Sequence, residues 1–543
     1  MRILGINSVF HDPAAALVID GNVVAAAEEE RFSRRKHGKR PVPFSAWEQP
    51  AAAARWCLQQ GGISADQVDL IGFSYDPELV RPADEMGLTD PWDDLRTTYA
   101  ARAPSFLADA LPGLDPGRAR FVPHHVAHAA SAGLAGPGRD CSVLVCDGRG
   151  ERDSCLAGRY SGGQLEVLST QPLPHSLGLM YEGLTAHLGF LRSSDEYKVM
   201  ALASYGKPRF LDPIREKVRP ADGGLGFRTE PIDWARMAPF RTAGEKWTAA
   251  HADLASSVQR RLEEILLGLA GEIHARTGDT LLTMAGGTAL NCVANTVVAR
   301  QGPFADVWVQ PAAGDAGTAL GAALQLAAGE GEAAWSMTGA DLGRGFTDVE
   351  IQAALRTARV PFERPPDVAQ AAAEVLAADG VVAWFHGRSE YGPRALGQRS
   401  LLAHPGRRAN LDRLNDVKGR ERFRPVAPMV LEERAAEIFL NGPVPSPYML
   451  FVHEVTPRWQ DRIPAVVHVD GTARVQTVDP ARQPLLAALL SAFELRTGLP
   501  VLVNTSLNTA GRPMVDDIRD ALECFGSTPV DLLAIGPFVV RRR

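Results

Sequence analysis

Two histidines four residues apart give the first sign of chemistry. In PHHVAHAASA, Pro123 suits a helix start, so His124 and His128 fall on one helical face. Two imidazoles at that spacing can share one metal ion. A surface or capping pair has the same spacing, so the motif alone leaves both readings open. Carboxylates at strand ends strengthen the metal reading. Asp147 in VCDGRG and Asp315 in AAGDAG each lie in a glycine turn, where backbone can come close to a phosphate or a metal. Two His and two Asp form a mixed nitrogen and oxygen set suited to iron, manganese or zinc.

Three further clusters bear on function. The turn AGGTALN carries Gly286, Gly287 and Asn291 and opens a helix, a place where exposed N–H groups bind phosphate. With the DGRG turn, which holds Gly148, it suggests a nucleotide cleft; packing is the other use of such glycines. At the end of the first strand, FHDPAAA offers His11 as a general base for a hydroxyl and Asp12 to orient it or to reach an acceptor. An ordinary polar turn ahead of Pro13 is the plainer reading. The densest cluster is HGRSEYGPRALGQRS, residues 386–400, where glycines and prolines fix the backbone around Arg388, Arg394 and Arg399. Guanidinium forks bind phosphate or carboxylate through paired hydrogen bonds. Lys418, Arg424, Arg474 and Asn504 follow in NDVKGRERFRPVAP, RVQTV and LVNTSLN. Pairing with Glu390, Asp416 or Glu421 would instead use some of these cations internally.

Composition bounds the class. The chain has 543 residues, 45% hydrophobic and 22% charged, as in a globular protein too long for one core. The net charge of -7 argues against a nucleic-acid partner. Residues 386–424 nevertheless hold ten Lys/Arg against four Asp/Glu, a local basic concentration suited to an anion pocket. No apolar run is long enough to span a bilayer, and MRILGINSVFHDPAAALVID lacks the form of a signal peptide. Six scattered cysteines form no CxxC pair, which predicts a reducing, cytoplasmic setting.

The elements that must place these residues follow a repeated plan. RILGIN and AAALVID read as strands, with a turn at Asp20-Gly21-Asn22 leading into VVAAAEEE. Residues 45–60 read as helix, DLIGFSY as strand, and residues 76–120 as an excursion. CSVLVCDGRG and QLEVLSTQPL read as strands, and residues 175–205 as largely helical. From residue 280 the plan recurs as TLLTMAGG, the helix LNCVANTVVAR, the strand ADVWVQP and a Gly-Asp turn into another helix. Two rounds of strand, acidic-glycine turn and helix predict a duplicated α/β domain. Residues 330–370 read as a boundary, and beyond it VVAWF, PVLVNTS and DLLAIGPFVVRR read as strands of a second α/β domain.

With these motifs in place, the sequence resembles the NodU/CmcH family of O-carbamoyltransferases. The resemblance runs through MRILGINSVFHD, EEERFSRRKHG, FVPHHVAHAASA, VCDGRGE, EYKVMALASYG, GGTALN, GDAGTALGAA, GRSEYGPRALGQRS and NTSLN. It implies a duplicated actin-like-ATPase-type domain, like threonylcarbamoyl transferases, over residues 1–350, and a smaller YrdC-like domain over residues 365–543. It further implies that carbamoyl phosphate and ATP, with Mg2+, react in the smaller domain to give carbamoyl adenylate and pyrophosphate. The carbamoyl group then passes in the larger domain to a small-molecule alcohol, as in antibiotic tailoring. Carried over by motif, His124, His128, Asp147 and Asp315 hold Fe2+, with Mn2+ and Zn2+ suited to the same donors. His11 is the base and Asp12 meets the acceptor. Asp147, Gly148, Lys198, Gly286, Gly287, Asn291, Arg388 and Arg399 face nucleotide, and Arg394 is catalytic. Lys36, Arg394, Lys418, Arg424, Arg474 and Asn504 bind carbamoyl phosphate or its adenylate. Family members are often homodimers.

Rival readings are a threonylcarbamoyl-type tRNA-modifying enzyme and a nucleotide-binding regulator that does no chemistry. The first lacks a broad basic surface here, and the second leaves the arginine cluster idle. The loop LRSSDEY and Leu507 depart from the family pattern, which leaves the chemistry alone and the acceptor open. Residues 76–120 and 207–250 match the family least and are the expected specificity segments.

Overall fold

A computed structural model describes residues 1–38, 49–332 and 335–542. The chain divides into two compact units, Met1–Thr338 and Gly339–Arg543. From Gly339 on, the stretch read as a boundary belongs to the second unit. There Gly343 N donates to the Ser389 carbonyl at 2.9 Å, and Arg344 Nε donates to the buried Asp516 carboxylate at 2.7 Å.

In the N-terminal unit the chain opens as a meander of β1 (Arg2–Asn7), β2 (Ala14–Ile19) and β3 (Asn22–Glu28). The turn between the last two has φ of 50° at Asp20 and 76° at Gly21. Positive φ at both central residues is the hairpin geometry that the Asp-Gly pair favours. β4 (Leu70–Phe73) and β5 (Ala119–Phe121) then add in parallel, giving the order β3-β2-β1-β4-β5. A second sheet repeats the plan. β6 (Cys141–Cys146), β7 (Asp153–Ser161) and β8 (Gln164–Pro172) form the meander. After a short hairpin of β9 (Val218–Pro220) and β10 (Phe227–Thr229), β11 (Leu281–Ala285) and β12 (Asp306–Val309) add in parallel beside β6. The order is β12-β11-β6-β7-β8, so both sheets have one topology, and the expected duplicated actin-like-ATPase-type fold is present.

Three local expectations change. The excursion at residues 76–120 contains the helix Asp93–Ala110 and then β5; Pro104, inside that helix, hides its periodicity. β7 was not anticipated, because it is buried along nearly its whole length and shows little alternation. The helix expected over residues 45–60 is seen as Ala51–Gln60, and its first positions up to residue 48 lie outside the described residues.

Glycines set how closely these layers approach. A Cβ on Gly5 of β1 would lie 1.9 Å from the Ala319 carbonyl oxygen, and one on Gly321 would lie 1.8 Å from the Ala127 carbonyl oxygen. The helix Ala316–Gly329 is thereby pressed against β1 through Gly5 and against the helix His124–Gly133 through its own Gly321. That contact brings Asp315, which caps the first helix, to the histidines on the second.

The C-terminal unit has ten described strands. These are β13 (Val382–Phe385), β14 (Arg399–Ala403), β15 (Ala427–Leu431), β16 (Phe439–Leu440), β17 (His453–Val455), β18 (Thr472–Ala473), β19 (Gln476–Val478), β20 (Val501–Ser506), β21 (Leu532–Ile535) and β22 (Phe538–Arg541). Seven form one mixed sheet, β19-β15-β20-β14-β13-β21-β22, and β16, β17 and β18 form a small second one. Trp384, Phe385, Leu401, Val430 and Leu502 lie in its core. DLLAIGPFVVRR, read as one strand, is the hairpin β21–β22 turning at Gly536, whose φ is 54°. No described helix is long and apolar enough to cross a membrane.

Gly321→Ala tests the helix contact. The added methyl must push two backbones apart, and the expected loss is about 1–3 kcal/mol of unfolding free energy, read from urea denaturation.

Candidate active site

The residues around His124 form a buried cage. His124 and His128 are fully buried, and Asp147 and Asp315 are each 7% exposed. His124 Nε2 stands 3.4 Å from Asp147 and 3.7 Å from Asp315; His128 Nε2 stands 3.8 Å and 3.5 Å from the same carboxylates. One ligand atom from each residue falls within 4.8 Å of every other.

Each side chain is held from behind. Asp147 Oδ1 accepts from Gly287 N at 2.7 Å, leaving Oδ2 towards the imidazoles. Asp315 Oδ2 accepts from His11 N at 3.0 Å, leaving Oδ1 towards them. His124 Nδ1 faces the Ser74 carbonyl at 3.2 Å; protonated there, it presents the Nε2 lone pair to the cage. Neither ring nitrogen of His128 has a hydrogen-bond partner among the described residues. An orphaned buried imidazole facing two carboxylates is what a divalent ion would complete, so these donors fit a metal. Burial opposes a charge on His124, yet Asp147 and Asp315 raise its pKa to about 9. The carboxylates thus call for a positive partner.

The Gly286-Gly287 turn abuts this cage. A Cβ on Gly286 (φ 90°) would meet the Cys146 carbonyl oxygen at 2.3 Å, so only glycine fits beside the strand end that leads into Asp147. Asn291 faces elsewhere. Its amide pairs with Gln259 in both directions, at 2.8 and 3.1 Å, and caps the next helix through Ala294 N. Asn291 thus braces the turn. Lys198 pairs with Asp195 at 3.0 Å.

On the other side of Asp315 lie His11 and Asp12. Asn7 Nδ2 donates to the carbonyls of both, at 2.6 and 3.1 Å, which fixes their turn at the end of β1. Asp12 faces His11 Nδ1 at 3.4 Å and His37 Nδ1 at 2.8 Å. Burial works against its charge, but His37 and His11 hold its pKa well below the ordinary carboxylate value. Lys36 is exposed on the turn that carries His37. The sequence reading passed over Asn7, His37 and Glu151, whose Oε1 accepts from His124 N and Asp76 N at 2.8 Å each. Their signal was faint: a polar residue ending a strand, and acids or histidines adjoining motifs already noted.

In the C-terminal unit the arginines divide. Arg399 is fully buried and stacks 3.8 Å over Phe385. Its guanidinium donates to the carbonyls of His386, Gly387, Gln398, Arg344 and Asp516. With its donors so used, Arg399 braces the loop. Arg388 likewise donates to the Gly343 and Leu342 carbonyls, at 2.9 and 2.6 Å. Glu390 accepts from the backbone of Leu396 and Gln398, at 2.6 and 2.9 Å, and so knits the loop. The peptide after Arg394 is held by Asn504, which donates to Ala395 O at 3.2 Å, and by Gln476, which donates to Leu396 O at 2.8 Å. Asn504 also donates to Gln476 at 2.7 Å, two residues beyond Arg474. Lys418 joins the same strand, β20, through Ser506 Oγ at 2.9 Å. Arg424 lies 3.6 Å from Glu421, one of the internal pairings foreseen.

Comparison with known proteins places this geometry in context. The Carbamoyltransferase N-terminus family matches residues 2–114 and 114–324, and the Carbamoyltransferase C-terminus family matches residues 373–542. An uncharacterized protein of Synechocystis sp. is 36% identical, over 100% of this chain and 97% of its own. Nodulation protein NolNO of Sinorhizobium fredii is 38% identical over 99% of this chain and 80% of its own. Nodulation protein U of Rhizobium tropici is 32% identical, over 96% and 93%. Among solved structures, T. kodakarensis HypF has a TM-score of 0.38 and 14% identity, covering 60% of this chain and 48% of that one.

The loop around Arg399 generates a pH prediction. Burial, with Arg399 nearby, lowers the His386 pKa from 6.5 to about 3. The unfolded chain therefore takes up a proton near pH 6.5 that the folded one refuses, and stability falls as pH drops from there towards 3. His386→Phe, which keeps the ring beside Trp384, is expected to make urea midpoints fall less steeply between pH 7 and about 4.5.

Proposed function

This chain belongs to the carbamoyltransferase family, and on that premise we propose that it is an ATP-dependent O-carbamoyltransferase working in two half-reactions. The observation that carries this reading is the buried cage of His124, His128, Asp147 and Asp315, set between the Gly286-Gly287 turn and the His11-Asp12 turn.

The first half-reaction is assigned to the C-terminal unit, as a YrdC-like domain. Carbamoyl phosphate releases inorganic phosphate to water, and the resulting carbamate oxygen displaces pyrophosphate from the α-phosphorus of ATP, carried with Mg2+. The product is carbamoyl adenylate. Both substrates are anions and repel each other, so cations must gather them. Arg394, on the loop held by Asn504 and Gln476, supplies one; Lys418, Arg424 and Arg474 supply the rest. Asn504 acts here through the loop it holds.

The second half-reaction is assigned to the N-terminal unit. An acceptor hydroxyl attacks the carbamoyl carbon, His11 takes its proton, and AMP leaves. Asp12 keeps His11 oriented and meets the acceptor. Gly286, Gly287 and Gly148 let backbone lie close to the nucleotide, and Lys36 and Lys198 supply positive charge. The cage is the site for Fe2+; its donors also suit Mn2+ or Zn2+. Bound there, the ion would polarise a carbonyl or hold phosphate oxygens. A water-labile adenylate gives a reason for both reactions to reside in one chain. The acceptor is a small molecule bearing an alcohol, of the natural-product kind. Six buried cysteines that form no disulfide support a cytoplasmic setting.

Purified protein given ATP and carbamoyl phosphate, without acceptor, should release pyrophosphate and phosphate and yield a carbamoyl-AMP mass. Absence of pyrophosphate with ATP shown to bind would overturn the proposal. Arg394→Ala should slow adenylate formation about 10²–10³-fold while leaving transfer from supplied carbamoyl adenylate intact. His11→Asn should do the reverse, by about 10²–10⁴-fold. Loss of the same half-reaction in both variants would refute the division of labour. Elemental analysis should find one transition-metal equivalent per chain, lost in Asp315→Ala.

A further inference from the structure

Beside the cage, four polar side chains form a line that ends on the proposed base. His11 Nδ1 faces Asp12 Oδ2 at 3.4 Å; Asp12 Oδ1 meets His37 Nδ1 at 2.8 Å; His37 Nε2 meets Ser194 Oγ at 3.0 Å. The two imidazoles stand edge to face, with ring centroids 4.8 Å apart. Asp12 thus has one oxygen for each histidine, and the shorter hydrogen bond goes to His37.

The backbone is shaped to make this line. Asp12 has φ 45°, His37 φ 61° and Ser193 φ 57°, all left-handed values at non-glycine residues. Such strain gathers where geometry matters more than local stability. The turns also dock on each other. A Cβ on Gly38 would fall 2.7 Å from Pro13 Cδ, and Glu29 N donates to the Pro13 carbonyl at 2.7 Å. His37 is held a third way, because its own N–H donates to Glu30 Oε2 at 2.9 Å. A surface histidine without a task would not require three anchors and a strained φ.

We propose that His37 is a positioning residue for carbamoyl transfer, which holds Asp12 so that its second oxygen orients His11. A carboxylate anchored on one side by an imidazole can fix the other imidazole with Nδ1 as donor, leaving Nε2 as the basic nitrogen. Ser194 steadies the far side of His37. It belongs to the loop LRSSDEY, which departs from the family pattern. This inference rests on His11 being the base.

The experiment uses the full chain loaded with its metal and follows transfer from supplied carbamoyl adenylate to an acceptor. His37→Ala should lower kcat about 10–100-fold with acceptor KM unchanged and adenylate formation unaffected. His37→Asn should restore activity to within a few-fold, since its amide N–H can replace Nδ1–H and Asn tolerates positive φ. His11→Ala with His37→Ala should be no slower than His11→Ala alone, because His37 acts through His11. An additive double variant, an Asn variant as poor as Ala, or a fall in both half-reactions would overturn the proposal. So would loss of a second metal equivalent in His37→Ala, or a carbamoyl adduct on Ser194 in the intact mass. Should His11→Asn leave transfer untouched, the base assignment itself fails; should it abolish transfer while His37→Ala does not, only this inference fails.

Discussion

Two carboxylates and two imidazoles, buried with each imidazole 3.4–3.8 Å from each carboxylate, would be unstable without compensation, since a desolvated charge needs a partner and a hydrogen bond. The N-terminal unit supplies these from its backbone. Gly287 N and His11 N each take one carboxylate oxygen, and Ser74 O faces one imidazole. These groups lie at the ends of strands or in the turns that follow them. The unit's packing therefore answers to this cage. The helix Ala316–Gly329 must lie close enough to β1 and to the histidine helix for Asp315 to reach, and Gly5 and Gly321 are the residues that allow it.

Duplication gives the cage its symmetry of parts. Each sheet runs a three-strand meander into two parallel strands. The turn after β1 provides His11 and Asp12, and the equivalent turn after β6 provides Asp147. β11 ends at the Gly286-Gly287 turn, and β12 leads to Asp315. Carbonyl and amide groups at strand ends are the natural place for a ligand site in such a fold. Each of the two carboxylates is accordingly met by a strand-end turn, Asp147 by Gly287 and Asp315 by His11.

In the C-terminal unit a similar economy governs the arginines. A loop of glycines and prolines cannot hold its shape by itself. Arg399 spends its fork on five carbonyls, and Glu390 collects amide N–H groups from the other side of the bend. This frame holds the peptide beside Arg394, through Asn504 and Gln476. The same residue type serves as frame and as candidate ligand five positions apart, and burial separates the two.

The sequence by itself determined the repeated strand and turn plan, the histidine pair at helical spacing, the two aspartates in glycine turns, and the basic loop. These rest on local rules, namely side-chain period, turn chemistry and charge density, which are written into short stretches of chain. Tertiary structure alone decided which residues meet. Asn291 and Arg399 carry groups suited to phosphate, yet Gln259 and carbonyls as far off in sequence as those of Arg344 and Asp516 take up their donors. His37 reads as one more residue of a basic segment until the docking of its turn on Pro13 brings it to Asp12. A side chain's chemistry is local, but the partner that uses it is fixed by packing between segments far apart in sequence.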